Sequence, residues 1–519
     1  MGMVAPQQRI ASAFFVLFGN YGDVTRYAQQ RGVCRQWVYR EATTLQQALD
    51  QQQQTIARLQ TRLQQLEQQQ ADCQQRLRRA VVLDADKQAQ FASVGQACGV
   101  SLPVCWQLLD VLIPGQQQSV ATLGRATQAA GKKAGELLPI LDAWARQQVR
   151  DVAVDEIYVK APVLMTVEPE SLCWLGGRLS DTVSGEAWAE QLRAFPNLEQ
   201  VTRDGGPGLE KGVALLSSER QAQGQPPLAD QGDHYHALRG GSVVVRQAQQ
   251  QAHAALAKAE QADQELAACG RQGHKRTGPA VRASAAWRQA ERAMDHWCEQ
   301  ERLWQQTKEA LQLFTPTGEL NTRPKAEAVL AQTVPQLPGL PAKTQRQLAK
   351  PEMLTYLDQV HRRLEALPFP PEVIQAAVQQ EGLRRRPELQ RGQGAQAAAL
   401  RGVLLACVVI LAKAKAVGQQ AQAAVRDILQ RAQRASSLVE CLNSVLRMQQ
   451  ARHRKMTQGL LDLKRLYWNC HRFRSGRRRD TTPYQRLGVP WPEGLRWWDL
   501  LKLTPEQLRN ELSTAKKAA

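Results

Sequence analysis

DVAVDEIYVK, residues 151–160, is the stretch that decides how the chain is read. Its apolar residues are β-branched and closely spaced (Val152, Val154, Ile157), which predicts a strand. Asp155 stands in its middle, where an unpaired carboxylate is costly unless something cationic satisfies it. PVLMTVEPE (162–170) and SLCWLGGRLS (171–180) read as the next two strands. A helix, SGEAWAEQLRAF (184–195), then leads to EQVTRDG (199–205), a second helix, PGLEKGVALLSS (207–218), and a short apolar strand near PLADQGDHYHALR (227–239). Three strands followed by alternating helix and strand predict an α/β domain built on a mixed five-stranded sheet with flanking helices. Asp204 ends its strand ahead of Gly205, Gly206 and Pro207, a turn that opens a site. More than two hundred residues later, SSLVECLNSVLR (436–447) reads as a helix carrying Glu440 among Leu438, Val439 and Leu442.

Charge sharpens this reading. The chain carries a net charge of +19 over 519 residues, yet the window 151–240 holds fourteen acidic and seven basic side chains. A local excess of negative charge suits metal binding, while the overall balance favours a polyanionic partner, nucleic acid before others. With 43% hydrophobic residues there is material for three or four cores. The longest apolar run, GVLLACVVILA (402–412), lies between Arg401 and Lys413. It falls short of the roughly 20 residues that a membrane span needs, and a buried helix is expected there. The N-terminus shows no charged-then-apolar signal, so a soluble, cytoplasmic, nucleoid-associated protein without membrane contact is expected. Ten cysteines are scattered singly without CxxC pairs, which predicts small buried hydrophobes rather than zinc sites or disulfides.

The first third is helical and punctuated. GDVTRYAQQRGVCRQWVYR (22–40) has helix-turn-helix spacing, with Ala28 small enough for close helix approach, Gly32 at the turn and Val38 as an anchor. The second helix would then offer Arg35, Gln36 and Arg40 to a major groove. A weaker second candidate lies at 91–112, and Lys132 and Lys133 in the helical stretch 122–149 are possible phosphate contacts. Between the two candidates runs a heptad pattern, with Leu49, Ile56, Leu63, Gln70 and Leu77 at a and Leu45, Gln52, Leu59, Leu66 and Cys73 at d. Seven of these ten are Leu or Ile, which predicts a continuous coiled coil joining two copies of the chain, its register fixed by the polar glutamines. Residues 240–430 show helical periodicity broken by Pro/Gly joints near 222–227, 315–323 and 335–341. Residues 447–479 contain eleven Lys or Arg against a single acid, Asp462, with Tyr467, Trp468 and Phe473 interleaved, the composition of a nucleic-acid track.

Three blocks resemble the DDE transposases of bacterial insertion sequences. They are Asp155-Glu156, RDGGPGLEKGV (203–213) and the run SSLVECLNSVLR…RRRDTTPYQRLG (436–488), which ends in a Ser/Thr-Pro-Tyr-x-x-Leu-Gly element. The resemblance implies an RNase H-like core and a catalytic triad of Asp155, Asp204 and Glu440 that holds two Mg²⁺ or Mn²⁺ ions, with Asp155 shared between them. It also accounts for the distance to Glu440, since Mutator-like and hAT-like groups insert a helical domain before the acid helix. Those groups often carry Cys or Asp, two residues, then His after the second Asp, and Asp233 and His236 fit that pattern as accessory residues. Glu156 is the rival of Asp155, because strand alternation puts only one of them on a given face. Asn443 and Arg447 share the helix face of Glu440, and Asn443 is read as orienting Glu440 or a phosphate. The expected DNA contacts of the track are Arg447, Arg452, Arg454, Lys455, Lys464, Arg472, Arg474, Arg477, Arg478 and Arg479, while Glu210 and Asp230 read as ordinary surface charges. The expected domains are 1–43 helix-turn-helix, 44–80 coiled coil, 81–150 helical linker, 151–239 first half of the core, 240–434 helical insertion, 435–490 second half of the core, and 491–519 tail. An enzyme that cuts and joins double-stranded DNA at element ends is the expected function. The alternatives are a domesticated DNA-binding protein that has lost catalysis and a structure-selective nuclease of the same fold.

Overall fold

The computed structural model describes residues 5–79, 83–159, 161–272, 274–386, 394–450, 456–492 and 494–518. The chain divides into two compact units, 1–84 and 85–519.

In the first unit, α1 (Pro6–Phe18), α2 (Asp23–Arg31) and α3 (Arg35–Arg79) form a small helical cluster. Tyr27, Ala28 and Val38 are its buried centre. Gly32, with φ of 64°, ends α2 in the left-handed conformation that L side chains resist, and so permits the tight turn into α3. The Arg9 guanidinium donates to Glu41 at 2.9 Å and ties α1 to α3. The expected boundary at 43/44 does not exist as a joint, because the second helix of the helix-turn-helix and the heptad segment are one helix. Periodicity alone could not place a joint there, since nothing between Arg40 and Leu49 interrupts helical geometry. Along α3, Leu49, Ile56, Leu59, Leu63 and Leu66 are all exposed.

The second unit opens with α4 (Ala85–Ala97), α5 (Leu102–Leu112) and α6 (Val120–Arg146). The sheet follows, with β1 (Asp151–Val159), β2 (Ala161–Glu168), β3 (Cys173–Leu179), β4 (Gln200–Arg203) and β5 (Ala229–Gly232) in spatial order β3-β2-β1-β4-β5. The β1–β2 and β2–β3 pairs are antiparallel, and β4 runs parallel to both β1 and β5. This order and sense are consistent with an RNase H-like core. The parallel strands need crossovers, which α7 (Gly185–Arg193) and α8 (Pro207–Ala222) supply.

Strand alternation divides the core. Val152 and Val154 pack with Trp188 of α7, Leu209 of α8 and Leu141 of α6. On the opposite face, Ala153 and Ile157 pack against Val439, Leu442 and Leu446 of a helix that arrives much later in the chain.

Between β5 and that helix lies a helical insertion with its own core, comprising α9 (His234–Arg271), α10 (Thr277–Ala310), α11 (Arg323–Thr333), α12 (Ala342–Leu348), α13 (Thr355–Glu365), α14 (Pro371–Arg384), α15 (Ala395–Lys413) and α16 (Lys415–Gln430). The expected buried helix at 402–412 is not buried. Cys407 and Leu411 are covered, but Leu405 is 63% exposed, and Val408, Val409 and Ile410 are exposed with it. An all-apolar run has no polar face to mark its outside, so its sequence could not show that only one stripe is covered. Among the described residues no helix is long and apolar enough to cross a membrane.

The chain then returns to the sheet as α17 (Ser437–Gln450) and α18 (Gln458–Cys470), followed by the short helices α19 (Pro483–Arg486) and α20 (Trp497–Leu500) and the terminal α21 (Pro505–Ala518). The TTPYQRLG element has a structural role. Thr482 and Gln485 form a capping box, and the Tyr484 hydroxyl donates at 2.9 Å to buried Asp142 of α6, which also pairs with Arg465. The terminal tryptophans are packed, Trp498 in the core with its indole N–H on Asp86.

The exposed seam of α3 generates a prediction. Leu59 and Leu63 are exposed and lie in no buried cluster of the described residues, so Leu59→Glu with Leu63→Glu should leave the monomer folded while separating two copies. Light scattering on the full-length protein should show a dimer becoming a monomer of unchanged helicity. A monomeric wild type, with and without DNA, would sink the coiled-coil reading.

Candidate active site

Asp155 faces the late helix. Only 6% exposed, it lies on the same side of β1 as Ala153 and Ile157. Its Oδ1 accepts from the Glu156 amide at 2.9 Å, and its Oδ2 accepts from Asn443 Nδ2 of α17 at 2.6 Å. Asp204 follows β4 directly, and its Oδ1 accepts from the Gly206 amide at 2.9 Å. A Cβ on Gly206 would stand 3.0 Å from Asp204 Oδ1 and 3.3 Å from Glu156 Oε1, so the glycine keeps this turn close to both acids. Glu440 lies in the first turn of α17. Its carboxylate meets Arg447 Nη1 at 2.8 Å and His236 Nε2 at 3.7 Å.

Burial comes first, and the negative charges of Asp204 and Glu440 second, in pushing the Asp155 carboxyl up to about 7. Asp204 and Glu440, far from Asp155 in sequence, are therefore close enough for their charges to act on it. Glu156 points to the other face, where burial and the charge of Asp204 raise its carboxyl as well. Its Oε2 is buried without a partner. Asp204, at the strand end, thus influences acids on both faces of β1.

Asp233 and His236 flank the cluster. Asp233 caps α9, accepting from the Tyr235 amide at 2.8 Å, and it also accepts from the Ser436 amide at 3.1 Å and the Ser436 hydroxyl at 2.8 Å. Its second oxygen receives His236 Nδ1, which turns Nε2 toward Glu440. The Asp233 bond raises the His236 imidazole above its usual value against burial, and the charges of Asp155 and Asp204 add to the rise. These neighbours favour the protonated form of the imidazole, which in that form offsets part of the repulsion among the acids. Ser436 was not legible as part of this arrangement; the only signal is a small hydroxyl residue immediately ahead of the acid helix.

The donor set is entirely carboxylate and amide oxygen, which fits hard cations such as Mg²⁺ or Mn²⁺. Two further observations agree with that fit: Asp155 is held against its own charge, and Asn443 Oδ1 is buried with no partner. In the side-chain positions seen, no three His, Cys, Asp or Glu among the described residues grip a single ion. Glu440 is turned instead toward Arg447 and His236.

Several expected DNA contacts need correction. Asn443 is fully buried and orients Asp155, so it touches neither Glu440 nor a phosphate. Lys464 is 2% exposed and donates to the carbonyls of Gln96 and Ala97 at 2.7 and 3.0 Å, and burial lowers its ammonium to about 7. It satisfies the open carbonyls at the end of α4, a function that charge counting cannot reveal. Arg478 is half-buried on the carbonyls of Glu170 and Pro169. Trp468 is half-buried against the β1–α17 cluster and donates its indole N–H to the Leu172 carbonyl at 2.8 Å. Asp230 is no surface charge either, because it pairs with buried Arg203. Exposed are Arg35, Gln36 and Arg40 on α3, and Arg472, Arg474, Arg477 and Arg479 near the C-terminus, with Arg40 4.0 Å from Glu41 and Arg479 3.2 Å from Asp480. Arg447 is exposed as well, though engaged with Glu440. Arg452, Arg454 and Lys455 lie outside the described residues. Comparisons with family models, curated proteins and solved structures find no match for the chain.

The elevated Asp155 carboxyl makes a stability prediction for the metal-free protein. In the unfolded chain this group ionises near 4, whereas in the fold it keeps its proton up to about 7. The folded state holds the extra proton across that window, so stability falls as pH rises through it and stays reduced above. Asp155→Asn removes the charge while still accepting from Asn443. In EDTA at pH 8 the variant should be more stable to urea by about 1–3 kcal/mol, with no gain at pH 4. A variant no more stable than wild type at pH 8 would refute the charge-strain account.

Proposed function

We propose that the chain is a DDE-type DNA transposase whose core is RNase H-like and interrupted by a helical insertion. The observation that carries this reading is the meeting of Asp155, Asp204 and Glu440, from a central strand, the end of its parallel neighbour and a helix on the far side of the insertion. Divalent ions held by these three acids would supply activation of an attacking hydroxyl and stabilisation of the leaving oxygen in phosphodiester cleavage and strand transfer. Asn443 keeps the Asp155 carboxylate aimed across the sheet face. Arg447 and the Asp233-held His236 hold Glu440 beside the other two acids, where it would be at hand to bind a cation.

The remaining parts fit an enzyme that acts on double-stranded DNA at element ends and at a target. Arg35, Gln36 and Arg40 are exposed at the start of α3, in the position of a recognition helix. The apolar seam further along the same helix suits a homodimer, so that recognition and pairing of two ends would share one rigid rod. Arg477 and Arg479 are exposed cations suited to phosphate contacts.

Two experiments test this reading. Asp155→Ala, Asp204→Ala and Glu440→Gln should each lower Mg²⁺-dependent cleavage of DNA bearing the element's ends by at least about a thousandfold while keeping end binding, a loss typical of a group needed in the transition state. Retained cleavage in any of the three, with folding verified by circular dichroism, removes that acid from the active site. Binding titrations at several salt concentrations address the division of labour. Arg35→Ala should relax sequence preference by about 1–3 kcal/mol, whereas Arg477→Ala with Arg479→Ala should weaken all sequences alike and flatten the salt slope. Identical behaviour of the two sets would contradict the assignment.

A further inference from the structure

The end of α18 opens into a cavity of about 650 Å³ that the three acids do not line. Its volume is in the range of sites that take a small organic ligand. Tyr467 and Trp497 form one corner, their rings edge to face with centroids 5.2 Å apart, and both are only partly buried. Trp491 adds a second apolar wall, itself stacked on Tyr484. The rim carries Arg472, Arg474 and Arg496.

The placement of two of these arginines is set by the backbone. Phe473 is bonded on both sides, its amide to the Thr481 carbonyl at 3.1 Å and its carbonyl to the Asp480 amide at 2.8 Å. That pairing keeps the segment extended, and in an extended segment residues two apart share a side. Arg472 and Arg474 are therefore presented together. Neither forms an ion pair among the described residues, both are exposed, and the described lining residues include no carboxylate. Arg496 keeps a half-buried partner in Asp499 at 3.2 Å. Arg472 and Arg474 thus present guanidinium groups without an ion-pair partner among the described residues beside half-covered aromatic faces. They match a ligand that is flat and apolar at one end and anionic at the other.

A nucleotide has that shape. In a duplex the faces of each base are covered by their neighbours, so only an unpaired base can reach an aromatic corner. We infer that this cavity receives an unpaired nucleotide of a DNA end, its base against Tyr467 and Trp497 and its phosphates against Arg472, Arg474 and Arg496. The inference rests on the reading of the chain as a DNA-processing enzyme, and it adds the substrate feature that the enzyme engages beyond the duplex: a single-stranded tail or a base displaced from its pair.

The test uses the full-length protein, a blunt duplex, and the same duplex with a short single-stranded DNA tail containing 2-aminopurine. The tail should tighten binding by about tenfold, the scale of one base stacking on an aromatic ring, and the 2-aminopurine fluorescence should be quenched on binding. In Arg472→Ala with Arg474→Ala the ratio of tailed to blunt affinity should fall to within about twofold of unity, as expected when phosphate contacts are lost. Trp497→Leu should relieve the quenching. A wild type that binds and cuts blunt DNA but gains nothing from the tail overturns the pocket and leaves the transposase reading standing. Absence of binding to either DNA overturns both. A gain that survives the arginine substitutions, or that an RNA tail alone confers, shows that the cavity is not the seat of an unpaired DNA nucleotide.

Discussion

The hydrogen bond from Asn443 to Asp155 joins residues 288 positions apart, and the geometry of the acidic site depends on it. Asp155 is buried next to two other carboxylates, a position in which a free carboxylate would turn toward water. The Asn443 amide and the Glu156 amide occupy one oxygen each and prevent that turn. Because Asn443 is packed one helical turn beyond Glu440, the bond that fixes Asp155 also fixes the height at which Glu440 approaches the sheet. The apolar contacts of Val439, Leu442 and Leu446 with the β1 face supply the burial, and the amide supplies the register.

The insertion is accommodated by a clip at its base. Asp233, where the chain leaves the sheet, accepts both the amide and the hydroxyl of Ser436, where it returns, and the His234 amide donates to the Arg434 carbonyl at 2.9 Å. Entry and exit are thus tied within one residue of each other, and the helices between them carry their own core. A loop closed in this way adds an entropic cost that grows only slowly with length, so a domain of this size can sit between β5 and α17 without displacing either. The same Asp233 orients His236 against Glu440, so the clip and the electrostatic environment of the acids share one side chain.

Positive charge is used in two ways in the C-terminal region. Lys464, Arg465 and Arg478 are spent internally, on helix-end carbonyls, on Asp142 and on loop carbonyls. Arg472, Arg474, Arg477 and Arg479 remain on the surface. The net charge of +19 therefore overstates the cation density open to an anionic partner. What is left is concentrated around an extended segment and a cavity rather than along a uniform track.

The sequence by itself determined the sheet-forming segments, the helical nature of what interrupts them and the turns at Gly32 and after Asp204. Each of these depends on local rules: β-branched alternation, helical spacing, and glycine where a side chain cannot be accommodated. Local pattern drew attention to carboxylates in a β-branched strand, at a glycine turn and within an apolar helix, but Asp155 is preferred to Glu156 through the resemblance of their block to the DDE transposases. Only the tertiary structure decided which groups face them. That Asn443 serves Asp155 and not Glu440, that Lys464 caps a distant helix, and that the apolar run at 402–412 leaves most of its surface uncovered all depend on contacts between segments hundreds of residues apart. A side chain's chemistry is written in its residue type, whereas the partner that satisfies it is chosen by packing, and no local pattern encodes that choice.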